Sequence, residues 1–253
     1  MHKMQRVTDK FLRGRGHDRL SAEEIGLLET SVEGIRDLPA RHILVRAGER
    51  VVESTMLLDG FMCRYMDDRA GYRQLVAIQV PGDFVDLHAL PLQRLDHDVA
   101  TVGPVRVASW THDTLEQLIA PRPHLTRMLW FSTLLDAAIH REWIFRLGRL
   151  DADGRVAHFM CEMKTRLDMV GLVENDRFAL PFKQADLAEA CGLTVVHVNR
   201  VLRSLREREL LIFRSGMATI VNWPKLVTLA EFDPSYLYVQ SGSDMSAMSV
   251  GRR

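Results

Sequence analysis

The chain has 253 residues, 47% of them hydrophobic, and its 33 basic and 33 acidic side chains leave no net charge. That length suits one large or two ordinary domains, and the neutral balance excludes a general nucleic-acid coater while leaving room for a local reader. No apolar run approaches the ~20 residues needed to span a bilayer, and Met1 to Gly16 is basic and polar without a signal-peptide core. A cytoplasmic protein with no membrane partner is expected. Cys63, Cys161 and Cys191 are far apart and form no Cys-x-x-Cys pair, which argues against a disulfide framework, structural zinc or a thiolate-held cluster.

In chain order, residues 1–20 read as a flexible tail, because Gly14 and Gly16 lack the preceding strand and third glycine of a phosphate loop. Ser21 to Glu24 has the form of a capping box and opens a short helix through Leu28. From Arg41 to Ser109, short apolar runs (HILV, VV, TMLL, FMCRYM, YRQLVAIQV, VRVASW) alternate with turns. The glycines at 48, 60, 71 and 82 recur at 12, 11 and 11 residues. Strands at that pitch predict an antiparallel sandwich or barrel, so residues 21–123 form an effector-type β-domain. Asp113 to Glu116 reads as a second capping box, with its helix ended by Pro121 and Pro123.

Residues 124–150 read as one long helix and a hinge. Leu125, Phe131, Leu134, Ile139, Ile144 and Phe145 cover more than one face, so the helix must bury several sides. One side fits the β-domain and another the same helix of a second copy, which predicts a homodimer. Gly148 to Gly154 reads as a flexible polar joint. Residues 151–240 then form a second domain. In it, Lys183 to Leu205 predicts two helices about a turn at Gly192, with Thr194 capping the second and Val198, Val201, Leu202 and Leu205 forming its buried stripe. Arg200, Arg203, Arg206 and Arg208 make that helix basic on a neutral body. LLIFR, Ser215-Gly216 and MATIV follow as a hairpin, the wing of a winged helix. Residues 241–253 read as a disordered tail.

Taken together these segments predict an α+β protein: an N-terminal antiparallel, jelly-roll-like β-roll, a long dimerisation helix and a C-terminal winged helix-turn-helix. The expected DNA-contacting residues are Thr194, Val195, Val196, His197, Asn199, Arg200 and Arg203 on the second helix, with Arg214 and Ser215 at the wing tip. Val195, three before Val198, fits either a core position or the groove. The competing reading is a ligand-binding or protein-interaction module whose helix-turn-helix no longer binds DNA.

The chain resembles the Crp/Fnr family of bacterial transcription regulators. The resemblance rests on Pro81-Gly-Asp-Phe84, on Leu150-Asp151 with Gly154-Arg155, on Gln184-x-Asp-Leu-Ala188, and on Gly192-Leu-Thr-Val-Val-His-Val-Asn-Arg-Val-Leu202. It implies a dimer reading two DNA half-sites, with Arg200 reaching base edges or phosphate and Thr194 holding phosphate. Val195 and Val196 stand where well-known members have Arg-Glu, so thymine methyls or groove shape would replace guanine readout. The effector position falls at Asp86, Leu87, His97 and Asp98. It lacks the arginine that neutralises a cyclic phosphate, which disfavours cyclic AMP. The cysteines of an Fnr-type iron–sulfur cluster are absent too. Haem stays open, with His88, His97 or His112 as ligand but no haem-sensor motif. Asp86, His88, Asp96, His97 and Asp98 are metal-ligand types in loops where such residues are ordinarily solvated, and no metal is assigned. No nucleophile elbow or Walker loop is present, so the chain is not read as an enzyme. The further partners expected are RNA polymerase and an unidentified small-molecule effector.

Overall fold

The computed structural model describes residues 6–15 and 19–239, so the tail expected at 241–253 lies outside the described residues. Helix α1 (Ala22–Thr30) starts at the expected capping box, with the Ser21 hydroxyl accepting from the Glu24 amide. The β-domain has two sheets, one of β1 (Gly34–Leu38), β7 (Val105–Thr111) and β3 (Glu53–Asp59) in that order. The other runs β2 (Ile43–Val45), β6 (Asp98–Thr101), β4 (Met62–Asp67) and β5 (Arg73–Gln79), and every pairing in both is antiparallel. Their inner faces meet over Met56, Ile78, Ala108 and Trp110, and the Trp110 indole donates to the Leu28 carbonyl at 3.0 Å. Burying that indole with its N–H satisfied ties α1 to the sandwich.

The strand pattern of the sequence misses β1 and β6. The interior of β1 is exposed, so Gly-Ile-Arg-Asp-Leu has no alternating apolar face to betray it, and β6 is four residues after a polar loop. Val51-Val52, expected as a strand, has no strand assignment. Two further corrections concern helix starts. Helix α3 (His112–Ile119) is capped by Thr111, whose hydroxyl accepts from the Thr114 amide, and Asp113 lies inside the first turn. Pro123 does not end a helix but opens α4 (Pro123–Arg149), where its missing N–H costs nothing. A short helical turn, α2 (Ala89–Leu92), follows the Pro81–Phe84 turn.

Residues 6–15 do not behave as the expected tail. Thr8, Phe11, Leu12 and Arg15 are buried, and Phe11 packs edge-on against Phe84 at 5.5 Å. Gly82, at φ +99°, makes this possible, since a Cβ there would overlap the Lys10 carbonyl.

The hinge is also shorter than the sequence suggests. Only Leu150 and Asp151 separate α4 from α5 (Ala152–Met169), and the Asp151 carboxylate caps α5 through the Gly154 amide at 2.8 Å. The second domain continues with β8 (Val173–Glu174), β9 (Arg177–Ala179), α6 (Gln184–Cys191), α7 (Val195–Glu207), β10 (Leu211–Arg214), β11 (Met217–Ile220) and α8 (Trp223–Ala230), and closes on a 3-10 turn at Pro234–Leu237. Its sheet order is β10-β11-β9-β8.

Candidate nucleic-acid interface

Helices α6 and α7 meet at Gly192, whose φ of +60° is the left-handed turn that glycine takes without strain. Thr194 then caps α7, its hydroxyl accepting from the His197 amide at 3.2 Å. Val198, Val201 and Leu205 are buried, as their spacing requires, and this turns the opposite face of α7 outward. On that face Thr194, Val195, Val196, Asn199, Arg200 and Arg203 are exposed and His197 is half-buried. Val195 is 42% exposed and Val196 68%, which resolves the ambiguity at Val195 in favour of the surface. Two exposed valines at the start of a helix stabilise no core, whereas they suit contact with thymine methyls.

The basic face is not uniformly available. Arg203 is held by Glu207 at 2.8 Å, and Arg208 by Asp153 at 3.1 Å. Arg200 has no hydrogen-bond or ion-pair partner among the described residues. In the wing, Ser215 (φ +52°) and Gly216 (φ +72°) form the two-residue turn between β10 and β11, with Arg214 and Ser215 exposed at its tip. All nine expected DNA-contacting residues therefore lie on α7 and the wing tip of one domain.

The expected effector residues lie on two segments that the stacked rings of His88 and His97 bring side by side. Asp86 is buried, accepting from the Thr55 amide at 2.6 Å, and burial outweighs the Thr55 bonds and the nearby Arg64 charge to push its carboxyl up to about 7. Asp98 accepts from the Ala47 amide at 2.6 Å, which holds the turn after β2. His97 pairs with Asp96 at 2.7 Å and stacks on His88 at 5.3 Å between ring centres. Burial lowers both imidazoles, His88 to about 3, so they sit neutral. His112 lies elsewhere, at the first turn of α3. Among the described residues no group of three or more His, Cys, Asp or Glu side chains is placed to hold a metal ion. The three cysteines are buried and unpaired, and burial raises each thiol.

The sequence reading misses the polar links that join the β-domain to the reading head. Arg64 of β4, 2% exposed, pairs with Asp136 of α4 and donates to the Val85 carbonyl at 2.9 Å. Arg73 of β5 holds Glu189 of α6 at 2.7 Å and Asp186 at 3.3 Å, with Arg41 also at 3.3 Å from Asp186. Arg166 of α5 donates to Asp83 and to the Ile78 carbonyl, both at 2.7 Å, and to Glu162 at 3.0 Å. Arg146 of α4 lies over Trp143 and donates to the Ala190 carbonyl of α6 at 2.8 Å. A movement of the Pro81–Phe84 turn thus has a direct path to α5 through Arg166, and one of the β4–β5 hairpin to α6 through Arg73. Isolated arginines in strands and helices carry no spacing signal, so sequence alone cannot pair them.

A β-sandwich, a long helix and a winged helix with an exposed, basic second helix together define an α+β DNA-binding transcription regulator. Comparison with known proteins agrees. Residues 154–229 match the family model of the Crp-like helix-turn-helix domain. The chain is 22% identical to the anaerobic regulatory protein of Aggregatibacter actinomycetemcomitans, over 83% of this chain and 82% of that protein. It is 26% identical to the transcriptional activator protein FnrL of Cereibacter sphaeroides, over 74% of this chain and 76% of that one. The solved structure of FixK2 from Bradyrhizobium japonicum superposes with a TM-score of 0.72 at 23% identity, covering 78% of this chain and 96% of that one. Residues 154–229 form a Crp-like helix-turn-helix domain, and the chain as a whole is similar to regulators of the Crp/Fnr type.

Proposed function

We propose that the chain acts as a homodimer that reads a two-fold DNA site. The observation that carries this is the outward face of α7: exposed Val195 and Val196 beside Arg200, which has no partner among the described residues, on a helix whose opposite face buries Val198, Val201 and Leu205 in the core. Arg200 is the base-reading or phosphate-gripping cation, Thr194 and the wing tip at Arg214 and Ser215 hold phosphates, and the valines favour thymine-containing half-sites. Asn199 and Arg203 stand on the same face and reach the backbone.

Helix α4 supports the dimer. Leu125, Leu129, Leu135, Ile139 and Trp143 are buried in the chain's own core, while Trp130 (62% exposed), Leu134, Ile144 (72%) and Phe145 form a second apolar side. Two such helices crossing would cover each other's exposed stripe, and the symmetry would place two α7 helices one DNA turn apart. The β-domain is the sensing part, linked to α4, α5 and α6 through Arg64, Arg166 and Arg73. The protein acts in the bacterial cytoplasm, where its DNA is.

Selection of bound duplexes from a random pool by the purified chain tests this reading. The expected result is a palindrome with half-site centres about 10 bp apart and affinity that falls steeply with salt. Recovery of no common sequence would favour a module that no longer binds DNA.

A further inference from the structure

Residues 231–239 lie beyond the stretch that matches the Crp-like helix-turn-helix model, yet they are packed with care. Asp233 caps the 3-10 turn at Pro234–Leu237 through the Ser235 amide at 2.9 Å. That turn packs on α5 and also returns to α4, on the other side of the hinge at Leu150 and Asp151. Phe232 and Leu237 are buried. Phe232 meets the His158 ring of α5 edge-on at 5.2 Å, and Tyr236 stacks on that ring at 6.1 Å. The Tyr236 hydroxyl donates to Glu162 at 2.9 Å, and His158 Nε2 lies 3.1 Å from Glu142 of α4. Tyr238 then sets its ring edge-on against Phe131 of α4 at 5.9 Å between centres. Along a helix that rises about 1.5 Å per residue, Phe131 stands about 28 Å from Leu150. A contact so far from the pivot has a long lever. Turning the DNA-reading domain by about 5° moves it by roughly 2.5 Å, which takes the rings out of the about 4.5–7 Å range of an aromatic pair. Glu142, about 12 Å from the hinge, and Arg146, about one turn from it, shift by roughly 1 Å or less. On the β-domain side, Arg73 and Glu189 are long side chains about a quarter exposed, and they can follow the same small turn. The Tyr238 contact is therefore the one most sensitive to the angle between the domains.

We propose that residues 231–239 form a strap that fixes the angle of the DNA-reading domain on α4, anchored by Tyr236 on Glu162 and tied at its far end by Tyr238 on Phe131. Releasing the tie lets the domain turn about Leu150 and Asp151 while each domain keeps its own core. The strap closes the chain back on itself, so the two-residue hinge is spanned twice. The proposal stands on these contacts and does not depend on whether α7 binds DNA.

Limited trypsin digestion of the full chain tests it. Cutting at Arg149, the exposed last residue of α4, reads the hinge, and cutting at Arg69, on the exposed tip of the β4–β5 hairpin, is the internal reference. Tyr238→Ala, at a position 54% exposed, should leave the melting temperature within about 2 °C yet raise the Arg149 rate about fivefold or more relative to Arg69. Phe131→Ala removes the other half of the tie and should give about the same rise. The double variant should add little to either, because both changes break one contact. Tyr238→Phe keeps the ring and should match the wild type. Sedimentation of each variant should return the wild-type mass, which separates a freed hinge from an altered assembly. An unchanged Arg149 to Arg69 ratio in both alanine variants, or a rise confined to variants whose mass has changed, would overturn the proposal.

Discussion

Replacing Glu162 by glutamine tests whether a single buried carboxylate holds α4, α5 and the closing 3-10 turn in one body. Glu162 is fully buried; one oxygen accepts from Arg166 Nη1 at 3.0 Å, the other from the Trp143 indole at 3.0 Å and the Tyr236 hydroxyl at 2.9 Å. Glutamine keeps the shape but offers one acceptor and an N–H₂ group that faces existing donors. Arg166 retains Asp83 at 2.7 Å, so its charge is only partly stranded. The loss combines a charge-assisted bond with an unsatisfied donor and comes to about 3 kcal/mol, toward the low end for a broken buried pair. For a chain of this size that is a fall in melting temperature of about 6–12 °C at pH 7. The pH dependence has a definite sign. Burial alone would raise the Glu162 carboxyl, but Arg166, Arg146 and His158 outweigh it and hold it below the ordinary range. A lowered folded value means the stabilisation is present above the unfolded pKa of about 4.3 and is lost as pH falls through the folded one. The gap between wild type and variant should therefore narrow below about pH 4. Thermal melting followed by tryptophan fluorescence at pH 7 and pH 4 measures both. A shift smaller than about 2 °C at pH 7 would refute the reasoning.

Other outcomes follow from the same structure. Asp86, raised to about 7 by burial, costs stability as pH rises through that value, so Asp86→Asn should gain on the wild type by about 2–4 kcal/mol between pH 4 and pH 8; urea melts at the two pH values compare them, and a constant difference would contradict the assignment. Gly82→Ala should displace residues 6–15, because its Cβ meets the Lys10 carbonyl at a φ of +99°. Trypsin should then cut at Lys10 and Arg13 about tenfold faster, and unchanged protection would show that the segment is not held by this turn. Ile144→Asp, at a position 72% exposed, should leave the fold within about 0.5 kcal/mol yet give the 28.9 kDa single-chain mass in sedimentation. A dimer that survives it would remove the α4 stripe from the interface.

The elements that declare themselves in the sequence are those with a period or a cap. The α7 stripe of Val198, Val201 and Leu205, the Thr194 cap, the Gly192 turn and the Ser215-Gly216 wing are all written in local residue order, and each stands where that order requires. The long helix is legible for the same reason. What is not legible depends on tertiary partners. Thr111 displaces Asp113 as the cap of α3 because β7 continues to Thr111, and no local signal marks where a strand stops. Residues 6–15 pack because a glycine far along the chain, Gly82, leaves room for them. The effector position inferred by resemblance assigns Asp86 and Asp98 to a ligand, and in the fold both carboxylates also accept from backbone amides, Asp86 from Thr55 of β3 and Asp98 from Ala47 in the turn after β2. The arginines that link the domains have no spacing rule at all, so only the three-dimensional arrangement pairs Arg64 with Asp136 or Arg73 with Glu189.

The central claim is that Arg200 on α7 reads DNA. The direct measurement is fluorescence anisotropy of wild type, Arg200→Ala and Arg203→Ala on the selected duplex and on a scrambled one at fixed salt. Because Arg200 is exposed and has no partner among the described residues, its replacement should cost about 1–3 kcal/mol, roughly a 5- to 150-fold loss, on the specific duplex and less on the scrambled one. Arg203, already held by Glu207 at 2.8 Å, should cost less. A loss below about twofold for Arg200→Ala, or the same loss on both duplexes, would contradict the account.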